Sequence, residues 1–267
     1  MDLGLGSKTA AVAASSEGLG FAVARELALE GARVMIGSRS ASKVGAAVRR
    51  LRGELAPDRQ NAVDGVVADM SDAVGPGRFA AETARRFGPI DIIVANNGGP
   101  PPGDPIGLGD EVWRAGLEQT FLSAQRLVEA TIAGMRERRF GRVIFITSTS
   151  VKQPIESLVV SSAMRSAVVA YAKSLADAVA ADGVTVNCVA PGTIRTARVE
   201  SIVRKRAEQS GESESDIEAA MRRRIPMGRI GDPAEFAAAV AFLASARASY
   251  ITGAVLQVDG GLVRSLV

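Results

Sequence analysis

The sequence predicts an α/β chain built on one doubly wound, parallel, seven-stranded sheet with helices on both faces. Three observations carry this expectation. Seven short apolar runs alternate with segments of helical period, the pattern of repeated right-handed strand–helix–strand units. The composition is 47% hydrophobic but only 4% aromatic, which suits a sheet of Ala, Val, Ile and Leu buried between helices. The 267 residues contain no linker-like stretch, so one domain over 1–267 is expected.

The first unit runs from the apolar stretch Thr9–Ala14 through the turn Ser15-Ser16-Glu17-Gly18-Leu19-Gly20 into a helix that ends at Gly31. A strand that hands over to a helix through small residues leaves free N–H groups where the helix dipole also favours negative charge, which makes a phosphate seat. Gly18 would let the backbone approach a pyrophosphate and Gly20 would let helix and strand pack closely; a flexible surface turn is the alternative. Later strands are expected at Arg33–Gly37, Gly65–Ala68, Ile90–Ala95, Arg142–Thr147, Val184–Val189 and Ala254–Val258. Helices are expected at about Ala41–Glu54, Gly77–Phe87, Asp110–Glu137, Ser162–Ala181 and Pro233–Ala244. Two segments that follow strands fit neither pattern. One is the rim Gly98-Gly99-Pro100-Pro101-Pro102-Gly103. The other, 193–227, holds Arg204-Lys205-Arg206 and Arg222-Arg223-Arg224 and reads either as a one- or two-helix lid or as a solvated charged hairpin.

Composition excludes several classes of function. A net charge of +3 with interspersed signs gives no nucleic-acid footprint. No 18-residue apolar run and no basic-then-apolar leader occurs at the N-terminus, so no membrane association and a cytoplasmic location are expected. The single cysteine, Cys188, reads as a small core residue. There is no histidine, which removes the commonest general base and a favoured metal ligand, and no metal site is expected.

The end of the second strand is where an adenosine ribose is read. No Asp or Glu stands between Glu30 and Glu54, while Arg39 and Lys43 follow the strand at once. Guanidinium chemistry there suits a 2′-phosphate and favours NADP(H) over NAD(H), although Glu17 in the turn would repel phosphate. Asp69, at the end of the third strand, serves either to accept from an adenine amino group or to cap a helix.

Several motifs then coincide at the order and spacing of one family, and the chain resembles the short-chain dehydrogenase/reductases over almost its whole length. Ala13 to Gly20 is similar to the family's Thr-Gly-x-x-x-Gly-x-Gly turn, with Ala14 in place of the first glycine. Ala95-Asn96-Asn97-Gly98 resembles its Asn-Asn-Ala-Gly segment. Val186-Asn187-Cys188-Val189-Ala190-Pro191-Gly192, followed by Thr196, resembles its nicotinamide-holding run. Gly228–Pro233, Tyr250–Gly253 and Val258–Gly261 match its C-terminal third. The resemblance implies a Rossmann-type domain and a homotetramer or homodimer. It also implies cofactor contacts from Ser15, Ser16, Gly18, Leu19, Gly20, Arg39, Asp69, Asn96, Gly98, Arg165, Pro191, Gly192, Ile194 and Thr196.

The reactive station departs from the family. Ser148 stands where the family's serine belongs, but counting on places Ser161 at the tyrosine and Arg165 at the lysine, and Thr120 replaces the supporting asparagine. Tyr171 cannot substitute, because ten helical residues from position 161 span roughly 15 Å. Reducing a carbonyl by hydride creates an alkoxide, which needs hydrogen-bond donors and a proton source. Ser148 and Ser161 can hold the oxygen and Arg165 can supply charge and bind ribose. An ionised serine is far more basic than a tyrosine, and an arginine is expected to keep its proton, so proton transfer is left to Lys152 or water. Lys152, four residues past Ser148, is either the titrating group or an exposed loop lysine, and Glu156 is a weaker candidate. Two functions fit: an NADP(H)-dependent oxidoreductase acting on a small carbonyl or alcohol with an atypical proton relay, or an NADP(H)-binding sensor or assembly protein with little turnover. Neither rim nor 193–227 shows an aromatic cage or a clear anion clamp.

Overall fold

A computed structural model describes residues 2–266. All seven expected strands form and pair in parallel in the order β3-β2-β1-β4-β5-β6-β7. They are β1 Thr9–Val12, β2 Arg33–Ser38, β3 Val63–Val67, β4 Ile92–Ala95, β5 Gly141–Ile146, β6 Val184–Pro191 and β7 Val255–Val258. The first three helices are α1 Gly18–Leu29, α2 Ala41–Gly53 and α3 Gly75–Phe87. After β4 come α4 Asp110–Gly116, a π-helical turn Leu117–Leu122, α5 Ser123–Glu129 and α6 Ile132–Glu137. The remainder are α7 Val159–Val179, α8 Ala197–Ser210, α9 Glu214–Arg223 and α10 Pro233–Ala244.

Because successive strand residues point to opposite faces, the sheet divides the interior in two. Ala10, Val12, Ile92, Val94 and Ile144 join a core with α1, α2 and α10, in which Phe236 is fully buried. Ala11, Met35, Ile93, Val143 and Phe145 face a second core with α3, α5 and α7. Tyr171 belongs to this second core, edge-on to Phe121 at 5.8 Å and to Phe145 at 6.1 Å. Cys188 is buried there too, and burial pushes its thiol up to about 12, so it is an unreactive core residue.

Several element bounds differ from those expected: β4 begins at Ile92 rather than Ile90, α3 at Gly75 rather than Gly77, and β6 runs on to Pro191. The strand β3 begins two residues before the expected Gly65, because it is an edge strand that tolerates Asp64, whose carboxylate pairs with Arg86 of α3 at 2.7 Å. The helix expected over Asp110–Glu137 is interrupted twice, by the π-helical turn and by the break at Ala130-Thr131, where the Thr131 hydroxyl donates to the Leu127 carbonyl at 2.9 Å. Helix α7 starts at Val159 rather than Ser162, which puts Ser161 inside its first turn. The segment 193–227 forms the two helices α8 and α9. Among the described residues no helix is long and apolar enough to cross a membrane, and no cluster of His, Cys, Asp or Glu could hold a metal ion.

Phe236→Ala, which empties the α10 side of the first core, should destabilise the protein by about 3–5 kcal/mol. A drop in the urea midpoint with little change in slope checks it.

Candidate active site

The carboxyl ends of the strands open into one cleft of ≈ 790 Å³. Its cofactor end is shaped by the turn between β1 and α1. Helix α1 has no side-chain cap and no acidic residue in its first turn, so its first N–H groups are left for an anion. Gly18 has φ +60°. Gly20 passes so close beneath Ala14 that a Cβ would lie 2.3 Å from the Ala14 carbonyl oxygen. That carbonyl also accepts from the Asn96 side chain at 3.1 Å. Ala14 itself adopts φ +45°, a conformation in which a Cβ crowds the backbone; here the residue replaces a glycine and keeps the glycine's shape.

Of the site residues expected from sequence, Ser16, Gly18, Leu19, Gly20, Arg39, Asp69, Asn96, Gly98, Ser148, Ser161, Arg165, Pro191, Gly192, Ile194 and Thr196 all line this cleft. Two do not. Ser15 is fully buried behind the turn, where its hydroxyl donates to the Val12 carbonyl at 2.6 Å and accepts from the Gly37 amide at 3.1 Å; it braces β1 against β2. Lys152 is half-buried outside the cleft lining, and its amide donates to the Thr149 carbonyl at 3.0 Å. Glu156 does line the cleft.

At the adenosine end, Glu17 is held by Lys43 at 2.9 Å, so its charge is locally balanced and Arg39 is left facing the cleft. Asp69 does not cap a helix: α3 begins at Gly75 behind Val74, with no side-chain cap, because the segment after β3 turns once more before the helix starts. The Asp69 carboxylate accepts from the Ser71 hydroxyl at 2.7 Å and the Ser71 amide at 2.9 Å. Burial raises its pKa, but those two bonds and the charge of Arg39 outweigh burial and hold it below the usual value. Thr196 caps α8, accepting from the Val199 amide at 3.5 Å, and its methyl lies 3.9 Å from the Cβ position of Gly18, so α8 starts against the phosphate turn.

At the reactive end, Arg165 is buried to 9% exposure. Its Nε donates to the Ser161 hydroxyl at 3.2 Å and its Nη1 to the Ile146 carbonyl at 2.7 Å. Burial first, then the nearby charge of Arg198, pull its guanidinium down to about 10. The Ser148 hydroxyl accepts from the Ser150 amide at 3.1 Å. Thr120 lies in the π-helical turn with its hydroxyl buried and unpartnered. A cavity of ≈ 10 Å³, about one water in size, separates it from Arg165 and is also lined by Asn97, Ser123 and Thr147.

The sequence reading missed Gln119 and the lining residues on and just past α8 and α9, among them Arg198, Ile202, Arg206, Met221 and Arg224. The spacing 198, 202, 206 is the helical-face signal that was available.

Residues 13–263 match the family model described as enoyl-(acyl carrier protein) reductase. The bovine (Bos taurus) dehydrogenase/reductase SDR family member 4 is 34% identical over 263 residues, covering 98% of this chain and 89% of the relative. The chain belongs to the short-chain dehydrogenase/reductase family. L-Sorbose reductase from Gluconobacter frateurii, solved with NADPH and L-sorbose, superposes with a TM-score of 0.94 at 29% identity over 100% of both chains. An NADPH-bound short-chain oxidoreductase from Pseudomonas aeruginosa PAO1, described as containing an atypical catalytic center, gives a TM-score of 0.88 at 30% identity over 98% of both chains. As a member of this family of dehydrogenases and reductases, the protein is an oxidoreductase with a Rossmann-type fold.

Ala14→Gly relieves a left-handed conformation costing roughly 1–2 kcal/mol but frees the unfolded chain by roughly 0.5–1 kcal/mol. The net expectation is a melting temperature higher by about 1–3 °C, checked by calorimetry on the cofactor-free protein; no rise would show the turn relaxed.

Proposed function

We propose that this protein is an NADP(H)-dependent oxidoreductase that reduces a small carbonyl compound, or oxidises the matching alcohol, with Ser161 and Arg165 in place of a tyrosine and lysine. The observation that carries this reading is the Arg165 Nε to Ser161 Oγ bond at 3.2 Å in the wall of the same cleft whose other end is the phosphate turn. The cradle fits the cofactor: uncapped N–H groups at α1, a glycine where a Cβ would collide, and Arg39 beside Asp69. The P. aeruginosa relative with NADPH and an atypical catalytic center supports the combination. When bound, the dinucleotide supplies or accepts the hydride.

The chain's own residues supply the rest. The Ser148 and Ser161 hydroxyls donate to the carbonyl oxygen, and the Arg165 charge behind Ser161 strengthens that donor as negative charge develops on the oxygen. The resulting alkoxide takes the Ser161 proton, Arg165 Nε–H restores it, and solvent reprotonates Arg165. A guanidinium at about 10 occupies the range of a free tyrosine, near 10. The segment α8–α9 acts as a lid whose first turn meets the phosphate seat. A homodimer or homotetramer, in a cytoplasmic setting, would cover the exposed Tyr250 and Leu256 beside the edge strand β7.

Two measurements test this reading. Arg165 acts in its protonated form, so single-turnover reduction with NADPH should be flat through neutral pH and fall as pH rises through about 10. The same limb should persist in Lys152→Ala and disappear in Arg165→Met; a limb lost with Lys152 would give the relay to that lysine. No hydride transfer to any ketone, aldehyde or quinone tried, despite tight NADPH binding, would make the protein a cofactor-binding sensor or assembly subunit instead. For the cofactor, Arg39→Ala should weaken NADPH about 10- to 100-fold, the worth of one charge-assisted phosphate contact, with NADH nearly unchanged. Equal losses in fluorescence titrations would contradict the NADP(H) preference.

A further inference from the structure

One wall of the cleft carries positive charge that neither the phosphate turn nor the reactive serines use. On α8, Arg198, Ile202 and Arg206 recur at every fourth residue and so share a helix face, and all three line the cleft. Arg224, just past α9, lines it as well. Three other arginines of the segment are paired, Arg195 with Glu218 at 2.8 Å, Arg222 with the same carboxylate at 3.9 Å and Arg204 with Glu214 at 3.8 Å, while Arg223 is exposed and lies outside the cleft lining. Among the described residues, Arg198, Arg206 and Arg224 have no carboxylate within ion-pair distance. Solvation alone would explain exposed arginines away from the cleft; these three are exposed but line it, and the paired ones do not.

A second observation points the same way. Arg198 reaches across to the opposite rim, where its Nη1 and Nη2 lie 3.0 and 3.1 Å from the Cβ position of Gly99, against bare backbone. There its charge acts on Arg165, which is nine-tenths buried and also lacks a carboxylate partner. Two guanidinium groups that repel one another across the cleft create a potential that an anion relieves. Among the described residues, Glu156 is the one carboxylate lining this end, and it forms no ion pair. Met221, Leu262 and Val263 complete the wall with apolar surface.

We propose that the substrate is itself anionic: a carbonyl compound, or its alcohol, whose carboxylate or phosphoryl group is held by Arg198, Arg206 and Arg224 while an apolar body lies along Met221 and Leu262. The carbonyl part of this statement rests on the oxidoreductase reading above; the anion seat does not.

Calorimetric titration of the NADP⁺-loaded protein tests the seat without turnover, because the cofactor's own phosphates already occupy the turn. The probes are 4-oxopentanoate, its methyl ester and inorganic phosphate. The acid should bind at least 10-fold more tightly than the ester, and that ratio should fall to within about 3-fold in Arg198→Gln/Arg206→Gln. Variant-sensitive binding of phosphate without binding of the acid would assign a phosphoryl group. Acid and ester binding equally, no anion binding, or a double variant that loses NADP⁺ affinity in place of acid affinity would overturn the proposal. Anion binding without any hydride transfer would leave the seat standing and sink the oxidoreductase reading.

Discussion

The close crossing of α1 over the end of β1 is the constraint on which the rest of the site depends. With only a hydrogen on Gly20, the helix can start directly above the Ala14 carbonyl; any side chain there would push α1 off the sheet and turn its N–H groups away from the cleft. The same carbonyl accepts from Asn96 after β4, and the buried Ser15 hydroxyl links Val12 of β1 to Gly37 of β2. One turn therefore registers three neighbouring strand ends, and the cleft inherits its cofactor end from that registration. Ala14 keeps a left-handed backbone at a side-chain cost because these contacts over-determine it.

The reactive end is held by a different balance. Arg165 is buried without a carboxylate, an arrangement that burial makes costly for a cation. Its charge is accommodated by the Ile146 carbonyl and the Ser161 hydroxyl, and the result is a guanidinium brought down to about 10. The structure thus places a depressed cation beside a hydroxyl, at the two positions where counting along the chain leads one to expect the family's lysine and tyrosine. The unpartnered Thr120 hydroxyl borders the water-sized cavity that Arg165 also lines.

Between these ends, charge is distributed unequally. Glu17 is balanced by Lys43, and Asp69 is held as a carboxylate by Ser71, which leaves Arg39 toward the cofactor end. Toward the reactive end the lining cations outnumber the lone Glu156. The apolar side chains of α9 and the C-terminal segment give that end both a charged and an apolar wall, a combination that discriminates among substrates more sharply than either alone.

Strand count, alternation and the phosphate turn were legible in the residues because each depends on local periods and on glycine or its substitute at set places. The family motifs likewise pointed to Ser148, Ser161 and Arg165, since counting along a strand and a helix preserves spacing, and all three line the cleft. Element boundaries were less legible: β3 tolerates Asp64 only because it lies at the sheet's edge, and the helix after the rim breaks where tertiary contacts, not propensity, decide. Local sequence could not reveal that Ser15 turns inward to brace two strands, that Lys152 stays outside the cleft lining, or that Glu17 is neutralised by a residue 26 positions away. Nor could it tell a solvated arginine from a cleft-lining one. The sequence by itself determined the sheet and the family, and pointed to a glycine turn suited to a nucleotide and to an altered reactive station; only the tertiary structure decided which charges meet, because burial and pairing depend on segments brought together from distant parts of the chain.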